Sequence, residues 1–252
     1  MTRRALVTGG GSGLSSGIAA ALGADRFERV AITYRNSEPQ STLAAIEASG
    51  AQARALRLDF SADAAAVSRD LERFIAQEGP FDTLVHGVGL LTVKRFANLS
   101  LDDYGQLMDA NVRSAVLASR AVLPSMRAAH FGRIVFFGGN GSSQTQPFRG
   151  FSLYQASKSA LVAFARVLAV EEGQHGVTVN VIEPGDIRDK TQSRESARSQ
   201  ESGIPAGRPG SVDDVADVVR FLVAAERDFV TGAVIGVTGG LIEADGRNAK
   251  RP

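Results

Sequence analysis

The stretch that decides the fold is Ala5-Leu-Val-Thr-Gly-Gly-Gly-Ser-Gly-Leu-Ser-Ser-Gly17, near the N-terminus. A short apolar run passes directly into a glycine-rich loop, residues 9–13, and then into a helical pattern that starts at Ser15. Glycines let the backbone turn tightly and approach a pyrophosphate, whose charge the N–H groups at a helix N-terminus can hold. This order of elements predicts a dinucleotide-binding loop; a flexible strand-to-helix turn without a ligand is the alternative.

Beyond this stretch, short β-branched runs alternate with longer helical patterns, which is typical of βαβ units and a parallel sheet. Right-handed crossovers then predict an α/β fold of the Rossmann type: one domain with a doubly wound parallel seven-stranded sheet, helices on both faces and a ligand crevice at the carboxyl ends of the strands. The predicted strands are Ala5–Thr8, Arg29–Tyr34, Arg54–Leu58, Thr83–Gly87, Arg133–Phe137, Thr178–Ile182 and Val234–Val237. The predicted helices are Ser15–Leu22, Ser41–Ser49, Ala62–Gln77, Tyr104–Ala129, Leu153–Gln174 and Val212–Ala225.

Composition limits the classes of function. The chain has 252 residues, of which 44% are hydrophobic and 22% charged, and its net charge of +1 indicates neither a nucleic-acid nor a membrane partner. Because it has no cysteine, disulfides and thiolate metal ligands are excluded. No secretory leader or membrane-spanning stretch is visible, so we expect a cytoplasmic protein. We expect one dinucleotide-binding domain over residues 1–242 and a polar tail over 243–252.

The end of the second predicted strand bears on the choice of cofactor. It reads Tyr34-Arg35-Asn36-Ser37, where a site for NAD would place a carboxylate on the ribose 2′-hydroxyl. Arg35, with Ser12 and Ser37, offers charge and hydrogen bonds to a 2′-phosphate instead. The sequence therefore favours NADP(H) over NAD(H); a solvated surface arginine is the alternative.

A possible acid–base pair stands in the fifth predicted helix. Tyr154 and Lys158 are four residues apart, so both side chains leave the same helix face, where an ammonium can favour the ionised form of a phenol. Such a cation would bring the phenol pKa, ordinarily about 10, closer to a useful range. The alternative is a chance tyrosine and lysine on a solvated helix.

Taken together, these segments identify a family. The glycine-rich loop, Asp59 after the third strand, Asn111 in a long helix, Tyr154 with Lys158, and the turn Pro184-Gly185-Asp186-Ile187 stand in the order found in the short-chain dehydrogenases/reductases. From Ala5 to about Leu241 the chain resembles this family, and within it the reductases of 3-oxoacyl-(acyl-carrier-protein).

The resemblance implies a function and a role for each matching residue. It implies an NADP(H)-dependent oxidoreductase that reduces a small-molecule ketone or an acyl thioester, needs no metal and forms a homotetramer. Tyr154 would exchange the proton, Lys158 would hold the nicotinamide ribose and lower the pKa of Tyr154, and Asn111 would anchor a water. The residues expected to bind the cofactor are Gly9, Gly11, Ser12, Gly13, Leu14, Tyr34, Arg35, Asn36, Ser37, Asp59, Phe60, His86, Gly87, Tyr154, Lys158, Pro184, Gly185 and Ile187.

Three departures from the family pattern bear on activity. Ser15 replaces the last glycine of the loop and could crowd the phosphates or bind them. His86-Gly87-Val88-Gly89 replaces the usual Asn-Asn-Ala-Gly, and we interpret His86 as a structural hydrogen-bonding residue rather than a catalyst. Gly139 occupies the place of the serine that orients the substrate carbonyl, so we expect Ser142 to reach back into the site.

For that missing hydroxyl, Ser143, Asn140 or no replacement at all are the alternatives to Ser142. Because of these departures, a dinucleotide-binding protein with little or no catalysis, such as a sensor or assembly subunit, remains the alternative function.

The substrate is less well defined. Residues 186–207 fall where the family has its substrate lid, and Lys190, Arg194 and Arg198 would form one basic stripe if this segment were helical. Such a stripe could meet an anionic thioester, although a solvated helix face explains it equally well. His130 and His175 stand where related reductases place arginines to dock an acidic carrier protein, which weakens that interpretation.

Overall fold

A computed structural model of the chain describes residues 2–36 and 38–241. It contains a seven-stranded sheet in the order β3-β2-β1-β4-β5-β6-β7, in which every neighbouring pair is parallel. The predicted fold class is therefore confirmed. The strands are β1 (Arg4–Thr8), β2 (Arg29–Tyr34), β3 (Gln52–Arg57), β4 (Thr83–His86), β5 (Gly132–Phe137), β6 (Val177–Pro184) and β7 (Val234–Val237).

Helices cover both faces of the sheet, because alternate residues of the central strands are apolar and point in opposite directions. On one face, Leu6 of β1 packs with buried residues of the third, fifth and sixth helices; on the other, Val7 packs with residues of the first, second and eighth. The helices are α1 (Gly13–Ala24), α2 (Gln40–Ala48), α3 (Ala64–Glu78), α4 (Leu101–Met108), α5 (Ser114–Ala129), α6 (Ser152–Glu172), α7 (Arg194–Arg198) and α8 (Val212–Val223).

The fourth predicted helix, Tyr104–Ala129, is not one regular helix. The chain forms α4 and α5, joined by a π-helical turn over Asp109–Arg113. Within that turn the Asn111 side chain accepts from the Leu90 N–H at 2.8 Å and donates to the Leu90 carbonyl at 3.0 Å. The wider π-helical turn positions the Asn111 side chain differently from a regular helical turn. Such turns are frequent at functional sites.

Strand boundaries differ from the predicted ones by up to two residues. The third strand starts at Gln52 rather than Arg54, because the whole of β2 pairs with it, from Arg29 opposite Gln52 to Tyr34 opposite Arg57. Polar residues on this edge strand conceal its start in the sequence. Ser37 and the predicted tail, residues 243–252, lie outside the described residues.

The carboxyl ends of β1, β4, β5 and β6 meet at one edge of the sheet, and the segments that follow them enclose the crevice. α7 lies in the segment expected to be the lid. No helix in residues 2–36 and 38–241 is both long and apolar enough to cross a membrane.

Candidate active site

The glycine-rich loop forms an open anion cradle. Gly9 and Gly13 have φ angles of +68° and +62°, a region that favours glycine. Ser12, at the N-cap of α1, makes no capping hydrogen bond with its side chain, and the first turn of α1 contains no acid. The N–H groups at this helix end therefore point toward the crevice with no side chain in competition for them, which suits a pyrophosphate.

The same loop lies directly on β2. A methyl group added at Gly10 would come within 2.7 Å of Ile32 Cγ2, and one added at Gly11 within 2.8 Å of Tyr34 Cβ. Only glycine fits this contact. The residues present thus fit a dinucleotide, because the close packing leaves the backbone rather than side chains to line the cradle.

Ser15 lies next to the end of β4. Its side chain lies beside Gly87, where an added methyl group would stand only 1.9 Å from Ser15 Oγ. The two departures from the family pattern therefore compensate each other: the serine fills the space that a glycine leaves at the end of β4. That Ser15 crowds or binds the phosphates stays a prediction.

At the end of β2, Arg35 and Asn36 are exposed, as is Arg57 at the end of the neighbouring strand β3. Arg57 Nε donates to the Arg35 carbonyl at 3.2 Å, so two guanidinium groups lie at this corner of the crevice. Sequence reasoning missed Arg57, although its position opposite Tyr34 follows from the strand register.

The predicted adenine-binding residues lie beside this corner. Asp59 Oδ1 accepts from the Ser61 hydroxyl at 2.7 Å and the Ser61 N–H at 2.9 Å, and these hydrogen bonds, with the charge of Arg35, hold the Asp59 pKa below its usual value. The Phe60 side chain is buried in the core with its ring edge against His86, so only its backbone is available to a ligand.

His86 is a buried structural link, as interpreted from the sequence. Its Nδ1 is 2.8 Å from Thr8 Oγ1 and its Nε2 is 2.9 Å from Ser114 Oγ, which joins β1, β4 and α5. Burial, and secondarily the charge of Lys158, lower the His86 pKa to about 3. The ring is therefore neutral at physiological pH and serves as a hydrogen-bonding link between these three elements.

Asn111 and Lys158 converge beside Gly89. The Asn111 amide also donates to Ser157 Oγ at 2.9 Å. A methyl group added at Gly89 would lie 3.0 Å from Asn111 Oδ1 and 3.3 Å from Lys158 Nζ. Gly89 thus keeps open a small polar space between the amide and the ammonium, of the kind a bridging water needs.

Lys158 is buried, and its Nζ donates to the Phe137 carbonyl at 2.7 Å. Burial, with repulsion from Lys190, lowers the Lys158 pKa to about 8. By contrast, burial and the negative charge of Glu183 raise the pKa of Tyr154. This direction is opposite to the one expected from Lys158, and a lowering of the Tyr154 pKa by Lys158 stays a prediction.

The segment after β5, residues 138–151, is hereafter the post-β5 loop. At Gly139 an added methyl group would lie 3.1 Å from the Tyr154 hydroxyl, so the glycine leaves space next to the phenol that a side chain would fill. Ser142 is buried; its Oγ donates to Glu183 Oε1 at 2.7 Å and accepts from the Gly139 N–H at 3.2 Å. In this geometry its proton is directed at Glu183, and a role in orienting a carbonyl stays a prediction.

The turn after β6 is tightly packed. Gly185 packs against the Thr238 backbone, where a methyl group would come within 2.7 Å of Thr238 Cα, and the Ile187 N–H donates to the Gly185 carbonyl at 3.0 Å. Pro184 ends β6 immediately before this turn.

The basic stripe expected in the lid does not form. Lys190 lies outside α7, with its aliphatic chain over Gly13 of the glycine-rich loop. Arg194 is held by acidic residues of α8, since it forms ion pairs with Asp214 at 3.0 Å and with Asp217. The lid segment is thereby attached to α8, and the arginine is not available to a substrate.

Comparisons with known proteins agree with this geometry. The sequence profile described as short chain dehydrogenase matches residues 3–202. The 3-oxoacyl-(acyl-carrier-protein) reductase FabG of Escherichia coli is 31% identical over 247 residues, 94% of this chain and 96% of that protein. The glycine-rich loop, Asn111, Tyr154 and Lys158 all lie within the range matched by the profile.

Two solved structures have the same fold along nearly their whole length. Acetoin dehydrogenase from Enterobacter cloacae has a TM-score of 0.87 and 28% identity, over 100% of this chain and 99% of that one. A blue fluorescent protein from a metagenomic library, solved in complex with NADPH, has a TM-score of 0.80 and 33% identity, over 94% of this chain and 97% of that one.

Proposed function

Since the chain belongs to the short chain dehydrogenase family, we propose that it is an NADP(H)-dependent oxidoreductase that reduces a ketone or a 3-oxoacyl thioester to the secondary alcohol. The observation that carries this proposal is the convergence of Asn111, Tyr154 and Lys158 at the carboxyl edge of the sheet, next to an anion cradle. A protein that only bound a dinucleotide would have no physical need for a buried ammonium, which is costly to keep, beside a half-buried phenol.

Tyr154 is the proton donor of the proposed reaction. The cofactor, when bound, supplies the hydride that adds to the carbonyl carbon. Tyr154 gives its phenolic proton to the carbonyl oxygen, since a phenol keeps its proton at neutral pH until the transfer. After this transfer, Lys158 delivers a new proton to the Tyr154 oxygen through the polar space beside Gly89. Asn111 Oδ1 borders this space and positions the proton relay.

We infer a preference for NADP(H) from the corner formed by Arg35 and Arg57. Two exposed guanidinium groups suit the dianionic 2′-phosphate, and the second strand ends without an acid to bind a ribose hydroxyl. Arg35→Gln is expected to weaken NADPH binding about tenfold or more, since a hydrogen bond to a charged group contributes about 1.5–3 kcal/mol. NADH affinity should be unchanged, and Arg120→Gln, on the exposed face of α5, is the matched control.

The direct test of the proposed function is NADPH oxidation with a panel of ketones, diketones and 3-oxoacyl thioesters. Turnover that disappears in Tyr154→Phe, while NADPH binding remains, supports the proposal. Tight NADPH binding without turnover of any substrate supports a sensor or assembly subunit instead.

We also propose a homotetramer that forms through α5 and α6. Val167 and Val170 on α6 are 58% and 83% exposed, and an apolar helix face of this kind is better explained by a partner than by solvent. Light scattering at micromolar concentration tests the assembly, and Val170→Glu should reduce its mass if this face is the interface.

A further inference from the structure

One cation of the lid segment has no role in the reaction proposed above. Lys190 lies between β6 and α7, and its side chain is exposed. A methyl group added at Gly13, the first residue of α1, would lie 3.7 Å from both Cβ and Cδ of Lys190, which is an ordinary van der Waals distance. The carbon chain of the lysine therefore passes over the glycine-rich loop, with an open gap between them.

A tight turn holds Lys190 in this place. Asp189 Oδ1 accepts from the Thr191 N–H at 2.8 Å and from the Thr191 hydroxyl at 2.6 Å, which closes the turn with Lys190 at its centre. The next residue, Gln192, is buried, and its Nε2 donates to the Gly210 carbonyl at 3.1 Å. These contacts fix the backbone of Lys190 without using its side chain.

Neighbouring cations of the lid segment are neutralised, whereas Lys190 is not. Arg188 pairs with Asp186 at 3.2 Å, and Arg194 pairs with Asp214 at 3.0 Å. In the part of the chain that the structure describes, no carboxylate forms an ion pair with Lys190. An uncompensated positive charge is therefore left beside the glycine-rich loop.

This charge stands where a cation is unfavourable in the absence of an anion. The N-terminus of a helix carries a partial positive charge, so a lysine near it is repelled. At α1 nothing offsets that repulsion from within the helix, because its first turn contains no acid and the Ser12 side chain makes no capping hydrogen bond. An anion between the ammonium and the helix N–H groups would be attracted from both sides.

We propose that Lys190 is a cofactor-binding residue of the lid, whose ammonium pairs with the pyrophosphate that the N–H groups of α1 hold from the opposite side. The inference rests on the proposed function and deepens it, because it gives the lid a part in cofactor binding. NAD(H) and NADP(H) share the pyrophosphate, so Lys190 acts on both. Arg35, in contrast, acts on the 2′-phosphate alone, so Lys190 contributes affinity and Arg35 contributes the choice of cofactor.

The first test measures binding and needs no turnover. Lys190→Met keeps a chain of similar length over Gly13 and removes the charge. By isothermal titration calorimetry, its Kd should rise about three- to tenfold for NADPH, NADH and ADP-ribose alike, as expected for one charge-assisted contact that solvent partly screens. The Kd for 2′-AMP, which has no pyrophosphate, should stay the same. Unchanged affinities for NADH and ADP-ribose overturn the proposal.

Two further variants test whether the effect belongs to this charge at this position. Lys190→Arg keeps the charge and should bind ADP-ribose within a factor of about two of the parent. Arg198→Met removes an exposed cation from α7 of the same lid and should also stay within a factor of about two. A rise in Kd in this control as large as that in Lys190→Met would overturn the assignment to Lys190.

Ionic strength separates a charge contact from a displaced lid. Between about 0.1 M and 1 M salt the screening length falls from about 10 Å to about 3 Å. The ratio of the Kd of Lys190→Met to that of the parent should therefore fall toward one. A ratio that does not change with salt would assign the effect to packing and contradict the proposal.

The proposal and the proposed function can fail separately. If the parent binds NADPH but turns over no substrate, the reductase function fails, and the titrations with ADP-ribose still decide the role of Lys190. If the parent reduces a ketone and Lys190→Met binds NADPH and NADH as tightly as the parent does, only the role of Lys190 fails.

Discussion

The two ends of the crevice are built from different materials. Around the glycine-rich loop the walls are backbone in close contact with backbone or with apolar side chains, as where Gly10 meets Ile32 and Gly11 meets Tyr34. Around Tyr154 the walls include buried polar side chains with hydrogen bonds to neighbouring segments, such as the Asn111 amide, the Lys158 ammonium and the Glu183 carboxylate. A substitution at the first end changes shape, whereas one at the second changes charge and proton affinity.

This difference separates binding from chemistry. A cradle of glycines and uncapped N–H groups can hold an anion over a wide pH range, because none of its groups titrates there. The end around Tyr154 depends on ionisable groups whose pKa values are displaced from their ordinary values, in opposite directions for Lys158 and Tyr154. We therefore expect cofactor affinity to be less sensitive to pH than turnover.

The largest expected effect comes from Tyr154→Phe. Removal of the proton donor should lower kcat by about 10²–10⁴-fold, the usual range for a general acid. NADPH affinity, measured by fluorescence titration, should stay within a factor of about two, since the cradle is untouched. The distinction between the two ends would be contradicted by full turnover in this variant. It would also be contradicted if NADPH binding and turnover were lost together.

Lys158→Met should remove most of the turnover and change how stability depends on pH. The native pKa of about 8 is below the ordinary 10.5, so the unfolded chain binds this proton more tightly than the folded one between those values. The parent protein therefore gains stability as pH rises from about 8 toward 10.5, and its ammonium is most unfavourable below that window. Relative to the parent, the variant should be most stable at pH 8 and below.

Urea unfolding at several pH values measures this trend. The free energy of unfolding of the variant minus that of the parent should decrease between pH 8 and 10.5. A difference that is constant across this window would show that the pKa of Lys158 is the same in the folded and the unfolded chain.

At the cofactor end, Gly87→Ala tests whether shape dominates. The new methyl group would stand 1.9 Å from Ser15 Oγ and 2.9 Å from the Thr8 carbonyl oxygen, so we expect a loss of about 1–3 kcal/mol in the free energy of unfolding. Ser15→Gly removes the first of these clashes. In the double variant the two losses should therefore be less than additive by about 0.5–3 kcal/mol.

Urea unfolding of the four proteins of this cycle gives the coupling energy. Additive losses would mean that Ser15 and Gly87 do not share the space between α1 and β4. The pH profile of turnover should be the same in all four proteins, because no charge has changed.

The sequence predicted the local structure around the glycine-rich loop better than the local structure around Tyr154, and the reason is physical. The strand, the glycine-rich loop and the first turn of α1 are consecutive in the chain, so local pattern and chemistry are enough to place them. Glu183, in contrast, meets Ser142 across 41 residues of sequence, and a single acid before a proline carries no local signal of burial. The direction of the Ser142 hydroxyl follows from that long-range contact, whereas the raised pKa of Tyr154 follows from burial and from the charge of Glu183.

Asn111 shows the intermediate case. Its identity and place in a long helix were predicted, but the π-helical turn was not, because that turn depends on the asparagine's hydrogen bonds with the distant Leu90 backbone. Likewise, the lid stripe was inferred from helical spacing, yet α7 spans only Arg194–Arg198, and acids of α8 hold its first residue. Periodicity identifies a possible face, but only tertiary partners decide what that face contacts.

The smallest expected effect on turnover belongs to His86, which lies between the two ends of the crevice. Because burial holds its pKa near 3, the imidazole should show no titration between pH 5 and 8 in ring-proton NMR spectra, and the pH profile of turnover should contain no step from it.

The free energy of unfolding should depend on His86 instead. The unfolded histidine takes up a proton near pH 6.5, so the contribution of His86 to stability is complete above that value and is lost as pH falls toward 3. In His86→Asn, which removes the titrating group, this loss should be absent from acid unfolding curves. An imidazole that titrates near its ordinary pKa would mean that the ring reaches solvent or a reacting group. The separation of cofactor binding at one end of the crevice from proton chemistry at the other would then be contradicted.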